Sequence, residues 1–141
     1  MLNCKMSMKN TSTYICSYIS HTNILKLIAF RDQGLEVLAF PCNNFGKQEP
    51  KSNEEICEFA RGQKHVTFPI LGKLQCDNGD RTHPLYAFLK SSLSGGIFGS
   101  GLLWNFAKFL CDADGVPVKR YLPITSPWSL EKDIVELLNK K

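Results

Sequence analysis

Leu35-Glu36-Val37-Leu38-Ala39-Phe40-Pro41 is the stretch that sets the class of this fold. It is short and almost wholly apolar, as expected of a strand covered on both faces. Pro41 ends it, and Cys42 to Lys51 hold Asn, Gly and Pro, so the chain leaves the strand's carboxyl end in a loop. Outward from there, strand and helix signals alternate from Gly34 onward, the pattern of an α/β domain. Ser52 with Glu55 forms a capping box ahead of a helix whose apolar face is Ile56, Phe59 and Ala60. Thr82-His83-Pro84 opens another helix, with Leu85, Phe88 and Leu89 at helical spacing, and Gly95, Gly96, Gly99 and Gly101 break the chain after it. Phe106 to Cys111 and Val116 to Tyr121 read as an antiparallel hairpin around Asp112-Ala113-Asp114-Gly115. Ser126-Pro127 caps a last helix bearing Leu130, Ile134, Leu137 and Leu138 on one face. Upstream, Ile24, Leu25, Leu27, Ile28 and Phe30 predict a helix ending near Gly34.

A chain of 141 residues fits one domain able to bury about two thirds of its unfolded surface. With 43% hydrophobic and 21% charged residues, neither disorder nor a fibrous repeat is indicated. The net charge of +4 is spread along the chain rather than gathered on one face, which argues against nucleic acid as a partner. No apolar run approaches the ~20 residues of a membrane span, and the N-terminus lacks a secretory h-region, so the default location is cytoplasmic. Residues 1–31 contain Lys5, Lys9, Lys26 and Arg31 and no acid, a balance compatible with a mitochondrial presequence. Residues 1–21 are expected to be an atypical, disordered terminal segment, and residues 22–141 the domain. The six cysteines include no Cys-x-x-Cys pair, so neither a metal site nor a disulfide framework is expected. Asp112 to Gly115 lacks the further oxygen ligands of a calcium loop and reads as turn chemistry.

Two loop segments place polar groups beside apolar elements: Phe40-Pro41-Cys42-Asn43-Asn44-Phe45-Gly46-Lys47-Gln48-Glu49-Pro50 and Leu103-Trp104-Asn105-Phe106. Residue by residue, Gln48 reads as a solvated loop side chain, Trp104 as core and Asn105 as a turn former. Together they resemble the Gln loop and the Trp-Asn segment of the glutathione peroxidase family. Ser52-Asn53-Glu54-Glu55-Ile56, Val118-Lys119-Arg120-Tyr121 and Ser126-Pro127 continue the match in order, from Gly34 to Leu138.

That resemblance implies a thioredoxin-like α/β fold, a central mixed sheet flanked by helices, and reduction of hydrogen peroxide and organic or lipid hydroperoxides by glutathione. Glutathione is then a reducing co-substrate, with no bound cofactor. A selenocysteine or cysteine anion attacks the peroxide, and Gln48, Trp104 and Asn105 surround it as N–H donors and apolar wall. Lys47 and Arg120 are the candidates for binding glutathione carboxylates or lipid phosphates. The short Gly-rich stretch from Ser94 to Leu103 resembles that of the monomeric phospholipid-hydroperoxide type, which implies a monomer with peripheral membrane contact. Arg61 stands where thioredoxin-dependent relatives place a resolving cysteine.

The resemblance fails at the N-terminus. The family's nucleophile follows its first long strand, and counting back by the family's spacing lands near Thr13, where no such strand is readable. The first central strand is therefore expected to be lost or degenerate, and the nucleophile segment missing or replaced. Cys16, three positions on, is the weak candidate for a substitute, since such a shift moves the start of the following helix. The alternative functions are a catalytically inactive thioredoxin-like binding module and a thiol redox sensor using Cys42 or Cys16.

Overall fold

The computed structural model describes residues 13–17, 27–77, 79–93, 96, 99 and 101–140. Its sheet has four strands: β1 (Thr13–Ser17), β2 (Leu35–Ala39), β3 (Lys108–Cys111) and β4 (Pro117–Tyr121). Their order is β2-β1-β3-β4, with β1 parallel to β2 and the other neighbours antiparallel. The mixed sheet and its flanking helices are those of the expected α/β fold.

One expectation is corrected. The first central strand is not lost: Thr13–Ser17 lies between β2 and β3, with Cys16 in register with Leu38 on one side and Phe109 on the other. A boundary at residue 22 would therefore cut this strand from its sheet. The physical reason is that strand character there comes from two neighbouring ladders, which complete backbone hydrogen bonding that residues 13–17 cannot satisfy alone. Residues 24–26 of the expected upstream helix lie outside the described residues. The remainder of that helix is a tight 3-10 turn, Ile28–Gln33, ended by Gly34 at φ 102°, whose N–H returns to Arg31 O at 2.9 Å.

Successive residues of β2 feed opposite cores, which is why the strand reads as continuously apolar. Leu35, Val37 and Ala39 join Ala60, Val66, Phe68, Leu110, Leu130 and Ile134. Leu38 and Phe40 join Cys42, Cys76, Tyr86, Leu89, Phe109 and Cys111. The first core is covered by Phe59–Gln63, the π-helical continuation of α1 (Asn53–Glu58), and by the C-terminal α3 (Glu131–Leu138); the second is covered by α2 (Pro84–Ser92). Ser52 and Glu55 complete the capping box reciprocally at 3.2 and 2.9 Å. Backbone bonds between Ala39 and residues 69–71 add a single parallel bridge at the outer edge of β2.

The hairpin is shorter than its apolar run, because Phe106 takes φ 67° and delays the strand to Lys108. Its turn is closed as turn chemistry requires: Asp112 Oδ1 accepts the N–H groups of Asp114 and Val116 at 3.0 and 2.9 Å, and Gly115 supplies φ 82°.

Candidate active site

Three chain segments meet at one edge of the sheet: the end of β1, the exit of β2 and the entry to β3. Ser17, the last residue of β1, is in register with Ala39, where β2 ends, and with Lys108, where β3 begins. Nine residues beyond Ala39 comes Gln48, and three residues before Lys108 comes Asn105.

The loop after β2 is shaped by its own side chains. Asn43 Oδ1 accepts the Glu49 N–H at 2.9 Å and closes the loop across its base. Between them Gly46 and Lys47 are both left-handed, at φ 62° and 51°. A Cβ on Gly46 would lie 3.4 Å from Gln48 Cγ, an ordinary contact, so glycine here serves the left-handed turn. Lys47 has no such freedom, and its conformation costs about 1–2 kcal/mol. Asn44 ties the loop to the segment before α2, its Nδ2 donating to Gln75 and its Oδ1 accepting the Cys76 N–H at 3.0 Å. Lys73 Nζ donates to the carbonyls of Glu49 and Lys51 at 3.3 and 2.5 Å and fixes the loop's far end.

Across from it, Asn105 is buried, 3% exposed, and its Nδ2 donates to Gln48 Oε1 at 3.0 Å. The bond joins residues 57 positions apart. Phe106, immediately after Asn105, is left-handed, so backbone strain borders both partners. Asn105 Oδ1 is buried without a hydrogen-bond partner among the described residues. Two facing amides can pair in either sense, since rotating both exchanges donor and acceptor. The pair can thus offer an N–H to an anion or a C=O to a hydroxyl or thiol proton. Trp104 joins the same cluster through Phe45 of the loop, with ring centroids 5.8 Å apart, and remains 48% exposed.

Gln48, Trp104 and Asn105 are therefore brought together, and Lys47 sits exposed beside Gln48. Arg120 is placed differently. Half-buried on β4, its guanidinium donates to Leu93 O and Gly101 O and lies 5.4 Å from the Phe109 ring centroid, so it pins the Gly-rich loop. Burial holds its pKa below the usual value. Cys16 falls one residue before the end of β1, not at a helix start. Arg61 bonds Val66 O and staples the π-helical turn to the next segment. The sequence reading took Asn43 and Asn44 as loop signals but did not reach the bonds by which they and Lys73 tie the loop down. Among the described residues no group of three His, Cys, Asp or Glu side chains is placed to hold a metal.

A family model described as glutathione peroxidase matches residues 5–90. A probable phospholipid hydroperoxide glutathione peroxidase of Mesembryanthemum crystallinum is 55% identical over 109 residues, 77% of this chain and 63% of that protein. The chain thus spans less than two thirds of that relative's length. Among solved structures, T. cruzi GPX1 superposes with a TM-score of 0.70 at 30% identity, covering 91% of this chain and 82% of that one. A thioredoxin-family thiol:disulfide interchange protein from Chlorobium tepidum, at TM-score 0.58 and 10% identity over 90% of this chain and 80% of that one, shares the fold alone.

Proposed function

This chain belongs to the glutathione peroxidase family, and on that premise we propose that it reduces hydroperoxides, including those of phospholipids, with glutathione as the electron donor. The observation that bears most weight is the Gln48–Asn105 hydrogen bond, which joins the family's two polar segments at the sheet edge where β1 ends.

In this reading Cys16 is the nucleophile, because it is the cysteine of β1 and stands one residue before the strand end that is in register with Ala39 and Lys108. Its thiolate attacks the hydroperoxide; a sulfur–oxygen bond forms, the O–O bond breaks, and the alkoxide leaves as the alcohol after taking a proton. One glutathione thiol displaces water from the sulfenic acid to give a mixed disulfide. A second releases glutathione disulfide and restores Cys16. Gln48 and Asn105 offer N–H groups to the anionic sulfur, and Trp104 shields it. Lys47 attracts the glutathione carboxylates, while Arg120 serves by holding the Gly-rich loop.

Leu103 and Trp104, 45% and 48% exposed, form an apolar step beside the site that suits an acyl chain at a membrane surface. No helix among the described residues is long and apolar enough to cross a membrane. The protein works as a monomer in the cytoplasm in this reading; recovery in an organelle fraction or as a stable dimer would overturn that part.

The test is turnover of a phospholipid hydroperoxide with glutathione, coupled to NADPH consumption by glutathione reductase. Turnover that falls at least tenfold in Cys16→Ser supports the proposal. Absence of turnover in the unmodified chain, or full turnover in Cys16→Ser, would overturn it.

A further inference from the structure

Away from Cys16, two other thiols face each other across the second core. Cys42 follows β2, Cys76 precedes α2, and their Sγ atoms lie 2.9 Å apart. Both are buried, at 4% and 3% exposed, between Phe40, Tyr86, Leu89 and Phe109. The backbone around them is held on both sides: Asn44 Oδ1 accepts the Cys76 N–H, and Lys90 Nζ donates to the carbonyls of Cys76 and Asp77 at 3.2 and 2.7 Å. A disulfide needs about 2.05 Å between sulfurs, so the pair is within an ångström of bonding distance while its flanking backbone is fixed.

We propose that Cys42 and Cys76 are a redox-active dithiol, oxidised by a hydroperoxide to an intrachain disulfide that ties the Gln48 loop to the segment before α2, and reopened by glutathione. Cys42 is the attacking group. The Cys76 S–H donates to its sulfur and the Asn44 backbone N–H assists, which holds its pKa down to about 7. The same interaction and burial push Cys76 upward, so it stays protonated beside the thiolate. In the first step the Cys42 sulfur bonds the distal peroxide oxygen, the O–O bond breaks, and the alkoxide takes a proton from solvent and leaves as the alcohol. Cys42 is then a neutral sulfenic acid, and the charge that opposed Cys76 ionisation is gone. In the second step Cys76 sulfur bonds Cys42 sulfur, the S–O bond breaks, and hydroxide leaves with the Cys76 proton as water. Two thiols and one hydroperoxide give one disulfide, one alcohol and one water. Two glutathione thiols reverse it, leaving as glutathione disulfide.

The inference shares with the proposed function the oxidant and the reductant but not the reacting cysteines, and its readout is covalent, so the two can fail separately. The full chain, reduced and then exposed to hydrogen peroxide, is alkylated under denaturing conditions and digested. A Cys42–Cys76 cross-linked peptide two hydrogens lighter than its parts, cleaved by glutathione and formed equally in Cys16→Ser, is the expected result. In Cys76→Ser, Cys42 should instead be captured by dimedone as the sulfenic acid. The oxidised chain should also melt several degrees above the reduced one, because the bridge constrains the unfolded state. Recovery of Cys42 and Cys76 both alkylated after the oxidant has modified other cysteines, or pairing of either with Cys111 of the same core, would overturn the proposal.

Discussion

Gln48 owes its direction to the two residues before it. Gly46 and Lys47 are successively left-handed, and glycine at the first of these positions takes φ 62° without the strain a side chain would bring. Gly46→Ala is expected to destabilise the fold by about 1 kcal/mol through strain at positive φ, read as a lower urea midpoint. Gln48→Ala removes the partner of the buried Asn105 amide and should cost about 1–3 kcal/mol, measured by the same titration. It should also lower hydroperoxide turnover. The two loop segments holding Gln48, Trp104 and Asn105 stood out by their polar groups beside apolar elements, and the family resemblance is what made those three residues candidates. The Gln48–Asn105 bond was not, since spacing along the chain says nothing of contacts made through a sheet. Lys73 and Lys108 were illegible for a related reason. Lys108 is buried with Nζ donating to Pro123 O and Thr125 O at 2.9 and 2.8 Å, and burial lowers its pKa to about 8. Only a folded backbone gathers those carbonyls. The bonds from Arg120 to Leu93 O and Gly101 O were hidden in the same way, because they join residues far apart in the chain.

At the level of elements, the capping box before α1 and the apolar face of α3 were readable because local sequence specifies both. Leu130 and Ile134 are 0% exposed on that face, and Ile134→Ala should cost about 2–5 kcal/mol by leaving a cavity, again read in urea. The docking of α3 on β4 has an acid-sensitive component. Asp133 accepts from Lys119 Nζ and Tyr121 Oη, each at 2.8 Å, and these bonds hold its carboxyl below the usual range. A folded-state pKa depressed in this way gives stability that is present above the unfolded value near 3.9 and lost as pH falls through the folded one. Urea midpoints measured from pH 6 downward should drop below about pH 4, and Asp133→Asn should flatten part of that drop. The strand β1 was unreadable by contrast. Its Thr13-Tyr14-Ile15-Cys16-Ser17 run sits among Ser, Thr and Lys residues with no Gly or Pro beside it, and only pairing with β2 and β3 reveals it.

For the whole molecule, that strand is central to the sheet and, in the proposed function, to the chemistry. It lies inside a four-stranded sheet, so a chain beginning at residue 22 would leave β2 and β3 with unpaired edges and should not unfold cooperatively. Loss of the cooperative denaturation transition is the check. The same strand brings its end to the edge where the Gln48–Asn105 pair sits, and the proposed chemistry needs a thiol acting there. Capture of the oxidised sulfur is the decisive measurement. The full chain is treated with one equivalent of a phospholipid hydroperoxide in the presence of dimedone, and each cysteine is then read by peptide mass. A dimedone adduct on Cys16, diminished when Gln48 is replaced by Ala, is the expected result. An unmodified Cys16, with the hydroperoxide consumed or not, would exclude it as the attacking thiol.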